Sequence, residues 1–203
     1  MQEEELLRRS REGDLDCFNA LVERYQDSIY GLALRLLGDS ARAEDAAQDA
    51  FIAAFRSLRS LRGSFRPWLF RIAVNCCYDQ LRLARRRRET SLDALRAEET
   101  PPAPLRDPGE SPEDHAQRAE LEMQINLGLS RLQPDRRVAL ALRDIQGFTY
   151  EDIARITRAS LGTVKSRISR GRAELRDYLL AQGELLPSRY RHLSDEGSKA
   201  ASR

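Results

Sequence analysis

The sequence predicts an all-α protein made of two small helical domains joined by a flexible acidic, proline-rich linker. Apolar residues recur at helical spacing, and no segment alternates as a β-strand does. Five of the eight prolines fall between residues 101 and 112 among many acids, and such a segment cannot pack a core. Near the C-terminus, a short helix, a turn and a basic helix follow one another, which is typical of a helix-turn-helix.

The N-terminal domain, residues 1–90, is expected to contain four helices. The first covers residues 3–11, and the second runs from Cys17 to Leu37. Its apolar stripe consists of Phe18, Leu21, Val22, Tyr25, Ile29 and Leu32. Gly38-Asp39 ends the second helix, and Ser40 opens the third, which reaches about Leu58.

Gly63-Ser64 breaks the chain before the fourth helix. Pro67 suits the first turn of that helix, which continues to about Arg88. Its inner face is expected to consist of Leu69, Ile72, Ala73, Cys76 and Leu81.

The linker is assigned to residues 91–117, and the second domain to residues 118–182. As a coil, the linker would have ends on the order of 30 Å apart, and fully extended it could reach about 90 Å. The second domain begins with helices at 118–132 and from Pro134 to about 145. The tail, 183–203, is expected to be mostly disordered.

The helix-turn-helix spans about residues 149–176. Thr149 can cap its first helix, whose Ile153 and Ile156 face inward, and Ser160 can cap its second. The apolar back of the second helix is formed by Val164, Ile168 and Leu175, and its basic residues are Lys165, Arg167, Arg170, Arg172 and Arg176. A helix of this kind suits the DNA major groove, because Lys and Arg neutralise phosphates and Arg pairs with guanine. Ordinary amphipathic helices with a solvated basic face are the simpler alternative.

Charge is distributed in blocks along the chain. Residues 51–88 carry a net +9 and residues 125–182 a net +5, whereas residues 89–124 between them carry a net −7. This pattern indicates two polyanion-binding modules on an acidic tether. The acidic N-terminus does not resemble a signal peptide, and the apolar runs are too short to span a membrane.

The residues that could carry chemistry are few and scattered. Three cysteines, an odd number, fit a reducing cytoplasm, and they lack the spacing of metal ligands. Adjacent Cys76 and Cys77 suggest one buried and one partly exposed thiol, with a redox switch as a minor alternative. No nucleophile–base pair or phosphate loop is recognisable, so we expect neither an enzyme nor a cofactor.

Three motifs in this order resemble the extracytoplasmic-function (ECF) group of bacterial RNA polymerase sigma factors, group IV of the sigma-70 class, which keeps only regions 2 and 4. Residues 43–51 look like the region 2.2 helix. Residues 67–75, followed by Asp79 and Arg82, are similar to the region 2.3–2.4 signature. Residues 162–168, followed by Arg170, match the region 4.2 reader. Ser160 is a departure, since the family often has proline there. The resemblance covers about residues 1–180.

The resemblance implies docking on core RNA polymerase, on the β′ clamp and the β subunit. The polymerase contacts would be made by Asp45, Gln48 and Asp49. Phe51 and Phe55, four residues apart, are expected to lie in the core instead. The family also implies an anti-sigma protein that covers the polymerase-binding faces, and a linker that threads near the active-site cleft.

The resemblance further implies recognition of two promoter elements. The minus-thirty-five residues would be Thr163, Lys165, Ser166, Arg167, Arg170 and Arg172, with Arg172 and Arg176 as phosphate clamps or solvated side chains. The minus-ten residues would be Arg62, Ser64, Phe65, Arg66, Arg71, Asn75 and Arg82. Phe65 could stack on a base or anchor its loop, whereas Trp68 is expected in the core. The cluster Arg85–Arg88 could track phosphates or simply be solvated.

Two other functions are compatible with these patterns. A conventional helix-turn-helix regulator would bind promoters without polymerase, as a dimer on a palindrome. A non-DNA adaptor would use its basic faces to bind acidic proteins. A sigma factor would bind DNA weakly by itself and strongly together with polymerase, and this behaviour would distinguish it from both alternatives.

Overall fold

The computed structural model describes residues 2–90 and 112–182, and in these ranges all regular structure is helical. The predicted linker up to residue 111 and the tail from 183 lie outside the described residues. The N-terminal module contains α1 (Glu3–Arg11), α2 (Leu15–Leu37), α3 (Ser40–Ser57), a 3-10 turn (Leu58–Ser60) and α4 (Phe65–Thr90). The C-terminal module contains α5 (Pro112–Arg131), α6 (Pro134–Leu140), a π-helical turn (Ala141–Ile145), α7 (Tyr150–Thr157) and α8 (Leu161–Ala181).

Two boundaries differ from the sequence-based expectation. Helix α2 begins at Leu15, two residues early, because the Asp14 carboxylate accepts the backbone N–H of Cys17 at 3.0 Å and caps the helix. Helix α5 begins at Pro112, so residues 112–117 are helical and do not belong to the linker. Gly38 ends α2 as predicted, with a left-handed φ of 69° that favours glycine.

The core of the N-terminal module lies between α2, α3 and α4. The predicted stripe of α2 is confirmed, since all its members are buried except the half-buried Val22. The fully buried side chains of α3 are all alanines, namely Ala43, Ala46, Ala47, Ala50 and Ala54, and the half-buried Phe51 packs beside them. Alanines let the helix axes approach closely, and they leave the larger side chains of α3 to point elsewhere.

The predicted inner face of α4 is only partly correct. Leu69 and Ala73 are buried, but the other three predicted members are half-buried. The buried positions also include Phe70, Val74 and Cys77. The reason is a second neighbour: the C-terminal module packs on α4, and the Phe70 ring meets the Phe148 ring with centroids 4.8 Å apart.

The C-terminal module packs α8 against α5, α6 and α7. Val164 and Ile168 are buried and Leu175 is half-buried, as their spacing predicts. A glycine allows the close approach of α5 and α8. A Cβ at Gly128 of α5 would lie 2.5 Å from Leu175 Cδ1 and 2.7 Å from Tyr178 Cδ1 of α8, so a larger residue there would displace these side chains, whereas a Cβ at Gly171 would make only an ordinary contact with α6.

The helix-turn-helix forms as the sequence predicts. The Thr149 hydroxyl accepts the backbone N–H of Asp152 at 3.1 Å, and the Ser160 hydroxyl accepts that of Thr163 at 3.1 Å. Arg158 makes the turn between α7 and α8 with a left-handed φ of 52°. Both helix starts are therefore fixed by local hydrogen bonds. In the described part of the chain, no helix combines the length and apolar character that a bilayer crossing needs.

Candidate nucleic-acid interface

The reading helix α8 presents polar and basic side chains to solvent. Thr163, Lys165, Ser166 and Arg170 are all exposed, opposite the buried Val164. Among the described residues, neither Lys165 nor Arg170 has an acidic partner. Their charges are therefore available to an external anion.

The other two predicted minus-thirty-five residues are already paired. The Arg167 guanidinium donates to Asp135, at the start of α6, and its side chain is largely covered. The Arg172 Nε donates to Asp144 Oδ2 at 2.9 Å, and this hydrogen bond raises the pKa of Arg172. A phosphate would have to compete with these carboxylates, so both arginines are oriented but partly neutralised.

A depression of about 460 Å³ lies beside α8. Its walls include Tyr150 and three cations, Lys165, Arg172 and Arg176. The three cations give this depression a positive charge, which suits an anionic ligand.

Phe65 does not occupy a position where it could stack on a base, and that minus-ten assignment is wrong. The side chain is 1% exposed. Its ring packs edge-on against Tyr25, with centroids 5.6 Å apart, and against Trp68 at 5.8 Å. Phe65 is the loop anchor, because burial of an aromatic ring at the first residue of α4 fixes the preceding loop. Trp68 is also largely buried, as predicted.

Three predicted minus-ten residues come together around one depression. Arg62, Ser64 and Arg71 line a space of about 420 Å³, together with Trp68. The loop and the first two turns of α4 bring these groups together. Arg155, from α7 of the other module, also lines this depression, which the sequence did not indicate.

The remaining predicted minus-ten residues are separated. Asn75 and Arg82 are exposed farther along α4, where Arg82 pairs with Asp79 at 2.8 Å. Arg66 instead turns toward the C-terminal module, and its guanidinium donates to the Gln146 carbonyl oxygen at 2.5 Å. In this arrangement Arg66 does not belong to an open surface.

The exposed face of α3 holds all three predicted polymerase contacts. Asp45, Gln48 and Asp49 are exposed on neighbouring turns. Ile52, 48% exposed, and Phe55, 38% exposed, extend the same stripe. The expectation that Phe55 lies in the core is wrong, because the alanine face of α3 makes the core contacts.

Phe51, the other phenylalanine expected in the core, is half-buried. The Phe55 ring rests on the Phe18 ring, with centroids 4.9 Å apart, at the edge of the core. The sequence analysis missed Ile52, although its spacing of seven and three from Asp45 and Asp49 could have placed it on their stripe.

The thiols of α4 are poorly suited to a redox switch. Cys77 is buried and Cys76 is half-buried. The predicted inner face of the helix contained Cys76, so the two cysteines have exchanged the burial that was expected of them. Burial raises the pKa of Cys76 to about 11 and that of Cys77 to about 12. Both therefore remain thiols near neutral pH.

Comparisons with known proteins agree with this arrangement. Residues 21–87 match the family Sigma-70 region 2, and residues 122–175 match Sigma-70, region 4. The chain is 41% identical to the RNA polymerase sigma-H factor of Pseudomonas aeruginosa, over 84% of this chain and 90% of that protein. It is 38% identical to the ECF RNA polymerase sigma-E factor of Escherichia coli, over 82% of this chain and 88% of that protein.

Two solved structures share the fold. A sigma factor RpoE from Bartonella quintana, in complex with the anti-sigma factor NepR, superposes with a TM-score of 0.64 and 27% identity, covering 80% of this chain and 96% of that one. CnrH, in complex with the cytosolic domain of CnrY, gives a TM-score of 0.64 and 26% identity, covering 87% and 96%. With both regions present in order and these relatives spanning nearly its whole length, the chain belongs to the ECF group of RNA polymerase sigma factors.

Proposed function

We propose that this chain is a non-catalytic, cytoplasmic initiation factor that docks on core RNA polymerase through α3 and recognises both promoter elements. The observation that carries this proposal is the exposed face of α3. DNA recognition by a helix-turn-helix does not itself require an acidic and apolar stripe on the preceding module, so this stripe is better explained by binding to another protein.

The α3 stripe has the chemistry of a protein-binding surface. Asp45 and Asp49 supply charge one turn apart, and Gln48 lies between them. Ile52 and Phe55 supply apolar area at the end of the stripe. Exposed aromatic and aliphatic side chains flanked by charges are typical of interfaces, and a basic coiled-coil surface on the polymerase clamp would complement the acids.

The minus-thirty-five element would be read as a duplex by α8. Lys165, Ser166 and Arg170 would contact base edges or phosphates directly. Arg167 and Arg172 would contact DNA after exchanging their carboxylate partners for phosphates, and the Thr163 hydroxyl lies at the N-terminal turn of the same helix.

The minus-ten element would be held as a separated strand. Opening DNA costs about 1–2 kcal/mol per base step in stacking, and an extruded base can offset part of that cost by entering a pocket. The depression between Arg62, Ser64 and Arg71 has room for such a base. Asn75 and Arg82 would then follow the strand along α4.

A conventional helix-turn-helix regulator is not favoured. Such a protein needs no region 2 domain, whereas residues 21–87 match one. Both solved relatives are complexes: RpoE with the anti-sigma factor NepR, and CnrH with the cytosolic domain of CnrY. We propose that an anti-sigma protein likewise covers the polymerase-binding faces of this chain.

In vitro transcription tests the proposed function. The purified chain is added to core polymerase that lacks any sigma factor, with a fragment library of the source genome as template. We expect defined start sites that appear only when the chain is present. If the chain neither forms a stable core complex nor initiates, the sigma function is wrong and the free-standing regulator becomes the better interpretation.

Charge reversal on α3 tests the docking surface. Asp49→Arg should weaken core binding at least tenfold, because a repulsive pair replaces an attractive one. Glu23→Arg makes the same charge change on the exposed surface of α2 and serves as the matched control. Equal core affinity for the two variants, measured by fluorescence anisotropy of the labelled chain, would remove α3 from the interface.

A further inference from the structure

Helix α1 supports the part of the chain that carries the candidate minus-ten depression. It packs on α2 and on the 3-10 turn Leu58–Ser60, and Leu6 of α1 is only 2% exposed. Ser60 of that turn lines the depression. Helix α1 precedes the match to Sigma-70 region 2, which begins at residue 21. The family match therefore assigns no role to this helix.

A hydrogen bond and two ring contacts connect α1 to the depression. The Tyr25 hydroxyl of α2 donates to Glu3 Oε2 of α1 at 2.5 Å. The Tyr25 ring packs edge-on against the Phe65 ring, with centroids 5.6 Å apart, and the Phe65 ring lies 5.8 Å from that of Trp68. Trp68 lines the depression. Three buried rings in contact therefore join the first turn of α1 to the wall of the depression.

The loop that forms the rim of the depression is anchored at its two ends. Leu61 is 5% exposed and Phe65 is 1% exposed, whereas Arg62, Gly63 and Ser64 between them are exposed. Gly63 has a left-handed φ of 79°, which favours glycine. The positions of the exposed loop residues therefore depend on the two buried anchors, and one anchor, Phe65, rests on Tyr25.

The surroundings of Tyr25 hold its ring in one orientation. Burial, together with the hydrogen bond to Glu3, raises the pKa of Tyr25 to about 12, so the hydroxyl remains a donor near neutral pH. A hydrogen bond to a carboxylate is stronger than one between neutral groups, and the same carboxylate lies 3.7 Å from Arg24 Nη1. Because the ring is fixed at its hydroxyl end, it gives Phe65 a fixed surface to pack on.

We propose that Tyr25 and Glu3 are positioning residues for minus-ten recognition. Their hydrogen bond fixes the Tyr25 ring, which acts through Phe65 to hold the loop and Trp68 in the geometry that receives an extruded base. Neither Tyr25 nor Glu3 lines the depression, so neither contacts the base itself. The inference rests on the proposed function and deepens it, since it concerns the same depression and gives α1 a part in promoter recognition.

The hydrogen bond can be removed from either side. Tyr25→Phe removes the hydroxyl and keeps the ring, Glu3→Ala removes the acceptor, and Glu3→Gln keeps an acceptor oxygen. Loss of one hydrogen bond corresponds to about a 2- to 13-fold change in an equilibrium constant. Tyr30→Phe is the matched control, because it makes the same change on α2 and the Tyr30 hydroxyl forms no hydrogen bond within the described residues.

Binding of a single strand by the full chain together with core polymerase measures the effect. The probe is a fluorescent oligonucleotide that carries the minus-ten element mapped by the transcription assay. A second set of oligonucleotides has an abasic site at each position in turn, and the position at which wild type loses most affinity is that of the extruded base.

We expect Tyr25→Phe and Glu3→Ala to bind the intact strand about three- to tenfold more weakly than wild type. Glu3→Gln should lose less, and Tyr30→Phe should bind like wild type. On the strand that lacks the extruded base, Tyr25→Phe should bind like wild type, because the base that it helps to hold is missing. Such non-additivity couples Tyr25 to the base, and a residue that only stabilises the fold would not produce it.

Three results would overturn the inference. The first is equal affinity of Tyr25→Phe and wild type for the intact strand. The second is an equal loss on the intact and abasic strands, which a general loss of stability produces, or an abasic scan in which wild type loses affinity at no position. The third is a Glu3→Gln variant that binds as weakly as Glu3→Ala, because the hydrogen bond would then not be the connection.

Failure of the proposed function looks different in the same assay. If wild type with core polymerase did not prefer the minus-ten strand to a scrambled strand, the sigma function would be wrong, and this inference with it. If wild type showed that preference and Tyr25→Phe bound equally well, only the positioning role would be wrong. Urea unfolding of each variant establishes that it is folded under the conditions of the binding assay.

Discussion

Replacing Phe65 by alanine tests whether its ring anchors the preceding loop or stacks on a DNA base. The ring is 1% exposed and lies between the rings of Tyr25 and Trp68. Removing a buried phenylalanine side chain costs about 3–5 kcal/mol, because the lost burial is compounded by the cavity left behind. This is a large part of the roughly 5–15 kcal/mol that stabilises a typical domain.

Urea unfolding followed by the fluorescence of Trp68 measures this cost. Trp68 is the one tryptophan of the chain, and its ring lies 5.8 Å from that of Phe65, so its emission reports on the N-terminal module. With an m-value of about 2 kcal/mol/M, a loss of about 4 kcal/mol lowers the midpoint by roughly 2 M. Phe65→Leu, which keeps most of the buried volume, should lose much less.

Phe55→Ala is the matched control. Phe55 is 38% exposed and has one aromatic neighbour, Phe18, so we expect a loss of about 1 kcal/mol in stability and a clear loss of core polymerase binding. The reasoning would be refuted if Phe65→Ala kept its stability within about 1 kcal/mol yet lost promoter opening, since that is the behaviour of a base-stacking residue.

Three further predictions concern α8 and the thiols. Arg170→Ala should weaken binding to the minus-thirty-five duplex by about 1–3 kcal/mol in a fluorescence titration. Arg172→Ala should cost less, because Asp144 already neutralises that guanidinium. Ser160→Ala should lower the free energy of unfolding by about 1 kcal/mol in urea, since the hydroxyl caps α8. Burial raises the pKa of Cys76 to about 11, so the unfolded chain releases this proton at lower pH than the folded chain, and the free energy of unfolding should fall from about pH 9 to 11. Cys76→Ser should reduce that decline without abolishing it, since burial also raises the pKa of Cys77.

Local signals predicted most of the helices because their causes are local. The Thr149 and Ser160 caps bond backbone groups only three residues away, and Gly38 ends α2 through its own φ. The exposed face of α8 was predictable for a similar reason. Val164 and Ile168, four residues apart, identify the buried face of the helix, and the residues opposite them must then face solvent. Such features need no knowledge of what packs against the helix.

Features that depend on the other module escaped prediction. The buried Phe70 ring packs against Phe148 of the second module, and the Arg66 guanidinium turns toward that module because a carbonyl oxygen 80 residues away accepts its hydrogen bond. Within the C-terminal module, the pairing of Arg167 with Asp135 likewise joins residues 32 apart on two different helices. The periodicity of one helix contains no information about residues on other helices. The sequence therefore predicted which side chains of α4 and α8 face outward, but not that Arg66 and Arg167 bind other parts of the chain.

Helix α4 carries three kinds of contact on separate faces. The core stripe repeats every four residues and comprises Phe65, Leu69 and Ala73. The docking stripe, about 100° around the helix, faces the C-terminal module and comprises Arg66, Phe70 and Tyr78. The proposed DNA stripe, roughly another 110° on, comprises Arg71, Asn75 and Arg82.

Substitutions at neighbouring positions of α4 should therefore have different effects, depending on the face that each residue occupies. A change on the core stripe acts on folding, because it opens a cavity between α2 and α4. We expect a change on the proposed DNA stripe to affect promoter opening and to leave the fold intact, since those side chains contact solvent. A change on the docking stripe weakens the packing between the modules. Arg66 alone belongs to two of these groups, since the resemblance assigns it to the minus-ten strand and the structure assigns it to Gln146. Its guanidinium cannot satisfy both at once, so we expect any role of Arg66 at the minus-ten strand to require that its hydrogen bond to the Gln146 carbonyl oxygen breaks first.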